Sequence, residues 1–197
     1  MAFTDAIVAI AVTLLALPLA DIPQEYGEEG LGVVLEHAAY PFLGFAISFF
    51  VIVRLWWGHH RIFEHVLRWD RALVVLTVFW TFTIVLLAPV TALTNSTDPT
   101  APVNTGVVAI YIGVMTGSGA LLTALSWHVL RHPDLTDGHD VSAGIRLAGS
   151  IETTVGFALA LVIGTVFPVI NYWALLVLVV TGRLGDLLWR RRQRRAA

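Results

Sequence analysis

Apolar residues in this chain gather into long runs, separated by short polar stretches rich in proline, glycine and acidic side chains. A run of about 20 apolar residues, rising 1.5 Å per residue as a helix, is what a bilayer core of about 30 Å requires. Six runs meet or approach that length, so transmembrane helices are expected at residues 3–20, 34–58, 72–94, 105–130, 146–168 and 171–189. They predict one all-α membrane domain over residues 1–189, followed by a basic tail over residues 190–197. Asp21 to Gly30, with Pro23, Gly27 and three glutamates, and Thr94 to Asn104, with two prolines, read as polar loops.

Composition supports the membrane assignment: 57% of the 197 residues are hydrophobic, 13% are charged, and the mean hydropathy is +0.78. There is no cysteine, which excludes disulfides, thiolate metal sites and cysteine nucleophiles. The chain has no lysine, and its 12 arginines order the topology. Arg54, Arg61, Arg68 and Arg71 surround the second connection, Arg131 and Arg146 flank the fourth, and Arg183 and the terminal cluster follow or end the sixth span. In a six-span path all of them fall on one side, which the positive-inside rule makes cytoplasmic, with both termini. The expected location is the cell membrane, with several passes. Asp21, Glu25, Glu28, Glu29, Glu36 and Asp98 fall at the opposite mouth, where they either raise the local cation concentration or serve only solubility. Asp5 stands where a secretory signal would carry positive charge, so the first run is expected to be a span rather than a leader.

Along the first helix, Phe3, Ala6, Ile10, Leu14 and Leu17 share one stripe, with Thr13 on its edge, while Asp5 lies about 140° from Ile10. A carboxylate at that depth must be paired or wet, so Asp5 is expected to face other helices. Periodicity alone leaves the aliphatic stripe free to meet lipid, another helix or a pore.

The run Phe3-Thr4-Asp5-Ala6-Ile7-Val8-Ala9-Ile10-Ala11-Val12-Thr13-Leu14-Leu15 resembles the Phe-Ser-Asp signature opening the first helix of the transmembrane protein 175 family, the lysosomal and prokaryotic potassium channels. Ser48-Phe49, Trp57, His59-His60-Arg61-Ile62-Phe63 and Asp70-Arg71 are similar to that family's second helix and the turn into its third. The likeness spans roughly the first 95 residues, and the rest agrees in span number and size with the prokaryotic six-helix branch. It implies a potassium-selective cation channel, a homotetramer in which the first helices line an axial pore without a carbonyl filter. On that likeness Ile10 forms the constriction, Leu14 and Leu17 extend its hydrophobic neck, and Thr13 contributes to potassium preference, with permeating potassium passing Ile10 and Thr13. Phe3, Thr4 and Asp5, with His59 or His60 reaching Thr4 and Asp5, would tie the pore helix to the second helix. Thr4 stands where the family has serine and keeps the hydroxyl; the family's arginine four residues before the phenylalanine has no counterpart here.

Other polar residues are weaker signals. His59, His60 and His65, or His128 and His132, could bind metal, but adjacent histidines point to different faces and no carboxylate stands at a recognised ligand spacing. No metal site or cofactor is expected beyond the permeant potassium ion, and no enzyme activity or nucleic-acid partner; the partners are further copies of the chain, the lipid bilayer and monovalent cations. Glu152 is an intramembrane acid without an evident partner in the sequence. With the histidines as relays, it supports the competing class, a secondary and proton-coupled transporter. Thr153-Thr154-Val155-Gly156-Phe157 looks like a potassium-filter strand, but Ala158 replaces the closing glycine and the apolar run continues, so it reads as helix. Trp56, Trp57, Trp69, Trp127 and Trp189 fall near the cytoplasmic boundary and Trp173 near the outer one, as interfacial anchors do.

Overall fold

A computed structural model describes residues 2–95, 104–136 and 143–166, and they are helical almost throughout. The elements are α1 (Ala2–Leu15), α2 (Leu17–Tyr26), α3 (Leu31–Phe63), α4 (Arg71–Asn95), α5 (Thr105–Arg131) and α6 (Ala143–Val166), with 3-10 turns at Gly27–Glu29 and Pro133–Leu135. Among the described residues, five helical segments are long and apolar enough to cross a membrane, with α1 and α2 counting as one. The sixth expected span, residues 171–189, the basic tail, and most of the loop between Thr94 and Asn104 lie outside the described residues.

The first span is longer than the sequence suggests. Asp21 to Gly30, expected as a loop, is helical to Tyr26 and then a 3-10 turn. Gln24 and Glu25 are good helix formers, and the reversal into α3 is made within a single residue, Gly30, whose φ of 101° suits glycine. The α1–α2 rod is broken only at Ala16. Pro18 has no N–H to give the Leu14 carbonyl, and the chain tightens there through i to i+3 bonds, Ala16 N to Thr13 O at 3.1 Å and Leu19 N to Ala16 O at 3.1 Å. Past this break α2 returns against α3, where Tyr26 stacks on His37 with ring centres 4.0 Å apart.

Helix α5 is the centre of the bundle. Val108, Tyr111, Ile112, Met115, Ser118, Gly119, Leu122, Leu125, Ser126 and Val129 are buried at helical spacing, and α4, α6 and α3 all pack on it. Lipid is as apolar as leucine, so such contacts are stabilised by close packing and polar links rather than by escape from water. Gly119 permits the closest approach: a Cβ there would stand 3.1 Å from Thr154 Oγ1 and 3.3 Å from Thr154 Cα. Beside it, the Thr123 and Thr154 hydroxyls bond at 2.9 Å. A hydroxyl cluster joins α3, α4 and α5: Ser48 Oγ lies 2.7 Å from Tyr111 Oη and 2.9 Å from Thr91 Oγ1, and Thr91 donates to the Leu87 carbonyl at 2.7 Å. Each hydroxyl of this cluster thus has a partner, as a membrane interior demands.

One end of the bundle is stitched across two connections. The Leu135 carbonyl receives Leu67 N at 2.9 Å and Arg68 N at 3.2 Å. Asp70 caps α4, its Oδ1 accepting from Leu73 N at 2.8 Å, while its Oδ2 lies 2.6 Å from His128 Nε2 at the end of α5. The Leu73 amide, then His128, hold the Asp70 carboxyl below its ordinary value. Arg61, Arg71, Arg131 and Arg146 belong to the ends of α3, α4, α5 and α6 that meet here, Arg68 to the connection between α3 and α4, and Arg54 lies further back within α3.

Candidate pore helix and its anchorage

Helix α1 has two unlike faces. Thr4, Val8, Ala11 and Leu15 are buried, at i, i+4, i+7 and i+11, against α4 and α3. On the other side Phe3 is 74% exposed, Ile10 57%, Leu14 50% and Leu17 57%, with Ala6 and Thr13 exposed among them. In the single chain, therefore, the apolar stripe is an uncovered surface rather than core. Phe3, which the motif places in the supporting network, belongs to this open face. Thr13 donates its hydroxyl proton to the Ile10 carbonyl at 2.8 Å, leaving only lone pairs on the oxygen turned outward.

Asp5 lies half-buried between these faces, and its partner is Trp56, whose Nε1 donates to Oδ1 at 2.8 Å. This is the bond that the motif assigned to a histidine. Trp56 and His60 are one helical turn apart on α3, so both reach towards α1, but His60 lies against Trp56 with ring centres 5.5 Å apart and the tryptophan makes the contact. His59 turns towards α4, stacked on Trp80 at 4.2 Å and 12°. His59 Nε2, His60 Nδ1 and Trp80 Nε1 are buried without a hydrogen-bond partner. The anchorage of α1 is thus the Asp5–Trp56 hydrogen bond, with His60 packed against Trp56, while His59 and Trp80 stack separately between α3 and α4.

Three contributors were not legible as such. Trp56 reads as an interfacial anchor, although a buried indole N–H needs an acceptor and Asp5 was available. Trp80 sits within an ordinary apolar run yet is wholly buried. Asp70, directly before an apolar run, carries the signal of a helix N-cap. Of the remaining residues, His128 is engaged by Asp70, and Arg131 stacks over the Trp127 ring at 4.3 Å. Thr153 to Phe157 lie within α6, where Gly156 and Phe157 are buried. Arg54 Nη2 donates to Thr153 Oγ1 at 3.0 Å, joining α3 to α6.

These features define a polytopic α-helical membrane protein whose first helix keeps an apolar face uncovered. The family model for the endosomal/lysosomal potassium channel TMEM175 matches residues 1–88. A potassium channel of Streptomyces collinus is 30% identical over 158 residues, covering 80% of this chain and 74% of its own. Another, of Chamaesiphon minutus, is 38% identical over 96 residues, 44% of this chain and 47% of its own. In three dimensions the chain is similar to a lysosomal potassium-selective channel TMEM175 homologue from Chamaesiphon minutus, with TM-score 0.67, 25% identity and 94% of each chain covered. It also shares the fold of the potassium channel MtTMEM175, with TM-score 0.64, 15% identity and coverage of 98% and 92%. The chain belongs to the transmembrane protein 175 family.

Proposed function

We propose that this chain is one subunit of a potassium-selective channel in the cell membrane, with α1 of each copy lining an axial pore. The observation that carries the reading is the uncovered Ile10, Leu14 and Leu17 stripe, set opposite a buried face on a helix in a chain of this family. One such helix cannot enclose a path alone, so several copies must surround the axis, four in the homotetramer that the family resemblance implies. Residues 171–189 complete six spans, and the arginine-rich end, with both termini and the tail, faces the cytoplasm.

The collar works by dewetting. An ion cannot shed its water into hydrocarbon, so a ring of Ile10, Leu14 and Leu17 side chains holds the pore closed until it widens. In the widened state Thr13 supplies what the aliphatic ring cannot. Its proton is held by the Ile10 carbonyl, so towards the axis it presents an oxygen acceptor, the polarity a potassium ion needs when it gives up part of its hydration. Neither a carbonyl filter, a cofactor nor a covalent step is required. Asp5, with Trp56, fixes the start of α1 so that the collar keeps its rotation about the helix axis.

The test is single-channel recording of purified protein in a bilayer under opposed potassium and sodium gradients. Unitary steps reversing near the potassium potential are expected, with Ile10→Ala raising current and weakening potassium preference. Flux without unitary steps, coupled to a proton gradient, would favour the transporter class instead, and unchanged Ile10→Ala currents would remove α1 from the pore.

A further inference from the structure

The break at Ala16 divides the first span into two parts that are held in different ways. Before it, α1 is fixed: Thr4, Val8, Ala11 and Leu15 are buried against α4 and α3, and Asp5 accepts from Trp56 at 2.8 Å. After it, α2 buries Ile22 alone and, among the described residues, packs chiefly on α3. The chain crosses the break on i to i+3 bonds, Ala16 N to Thr13 O and Leu19 N to Ala16 O, each 3.1 Å. Pro18 leaves the Leu14 carbonyl without its helical donor. A turn of 3-10 geometry beside a proline is where a long helix bends.

The returning arm is weakened as well. Pro41 stands inside α3 and gives the His37 carbonyl no donor, and the first buried residue of α3 is Ser48. Tyr26 stacks on His37 and Gly30 makes the turn, so the two arms travel together. Residues 17–40 are thus a hairpin with a proline near each root and little burial, the condition for a segment that moves while the rest of the fold stays closed. The hairpin carries Asp21, Glu25, Glu28, Glu29 and Glu36 and no arginine, so like charges on facing copies favour its spreading. A bend of about 20° at Ala16, the size of a sharp proline kink, carries Tyr26 through about 5 Å, because ten residues of helix make a lever of about 15 Å. Leu17 lies beside the pivot, and Ile10 and Leu14 lie before it, so the bend leaves the collar in place.

We propose that Ala16 is a hinge about which the hairpin of residues 17–40 swings, setting the width of the acidic mouth while α1 and its collar stay fixed to α3 and α4. The consequence at a mouth rests on the proposed pore; the motion within one chain does not. Two spin labels in one subunit, diluted among unlabelled copies in liposomes, test it through their distance distribution, since the chain has no cysteine of its own. One pair is Gln24→Cys with Ile110→Cys, from α2 to an exposed position on α5, and the reference pair is Ala9→Cys with Ile110→Cys, from α1 to the same position. The first distribution should be about twofold broader than the second, and should narrow to the reference width in Pro18→Ala, which returns a donor to the Leu14 carbonyl. Pro23→Ala, inside the moving arm, should leave the breadth unchanged. Equal breadth in the two pairs, or no narrowing in Pro18→Ala, overturns the hinge. Narrowing in Pro23→Ala alone overturns it too, since the bend would then lie within α2. Neither pair reads current, so failure of the pore reading would leave this result standing.

Discussion

Helices α1 and α5 are both apolar and both long enough to matter to a membrane fold, yet they are used in opposite ways. Along α5 the buried residues, from Val108 to Val129, meet three neighbours, and Gly119 brings α6 to within van der Waals contact. Along α1 the closed face is a narrow one of Thr4, Val8, Ala11 and Leu15, and the larger aliphatic side chains, Ile10, Leu14 and Leu17, are left in the open. Composition does not separate the two; what separates them is whether a neighbour exists for the apolar face. The proposed channel places its contact between copies and its permeation path on that bare face.

Substitutions can sharpen the contrast, and the largest effect is expected on the open face. Ile10→Ala shortens the collar and should raise conductance about tenfold, because each 1.4 kcal/mol removed from a barrier is a factor of ten; Val8→Ala, on the closed face, should lower stability instead and leave selectivity alone. Next in size is the anchorage. Trp56→Phe deprives half-buried Asp5 of its N–H donor and should cost about 1.5–3 kcal/mol, the range for hydrogen bonds to charged groups, read as a lower Tm. Adding Asp5→Asn should then cost much less than the two single effects combined, and simple additivity would show that the pair does not act together.

The closed region is probed by Gly119→Leu, which forces atoms into the Thr154 backbone and should cost about 1–3 kcal/mol in thermal unfolding, with potassium preference intact. The smallest effect is at the basic end. Asp70→Ala removes the α4 cap and should cost about 1 kcal/mol, whereas Asp70→Asn, another good cap, should cost less. Since the folded carboxyl is held below its ordinary value, the stability it contributes is complete above the ordinary carboxylate range and is lost as pH falls through the lowered value. Acid unfolding of Asp70→Asn should accordingly be less steep than that of the wild type.

How much of this could be read beforehand differs by kind of information. The spans and the Ile10, Leu14, Leu17 stripe are properties of spacing within one helix, and spacing is written directly in the sequence. The polar loop expected from Asp21 to Gly30 is instead mostly helix, because the helix propensity of Gln24 and Glu25 outweighs Pro23 and the acids, and one glycine suffices for the turn. The partner of Asp5 depends on how α1 and α3 sit together, and a choice among Trp56, His59 and His60, within little more than one turn, cannot be made without that geometry. Nor could the Ser48, Thr91 and Tyr111 cluster be read, since Thr91 and Tyr111 lie 43 and 63 residues from Ser48, and the motif that includes Ser48 names neither.

Because the chain contains no cysteine, a thiol can be placed on α1 without background. The most direct measurement is the current through reconstituted Ile10→Cys channels before and after a charged, membrane-impermeant thiol reagent, with Leu15→Cys on the closed face for comparison. Prompt block at position 10 and none at position 15 is the result that a pore lined by α1 predicts. Full modification of the Ile10→Cys thiol with the current unaltered would contradict it.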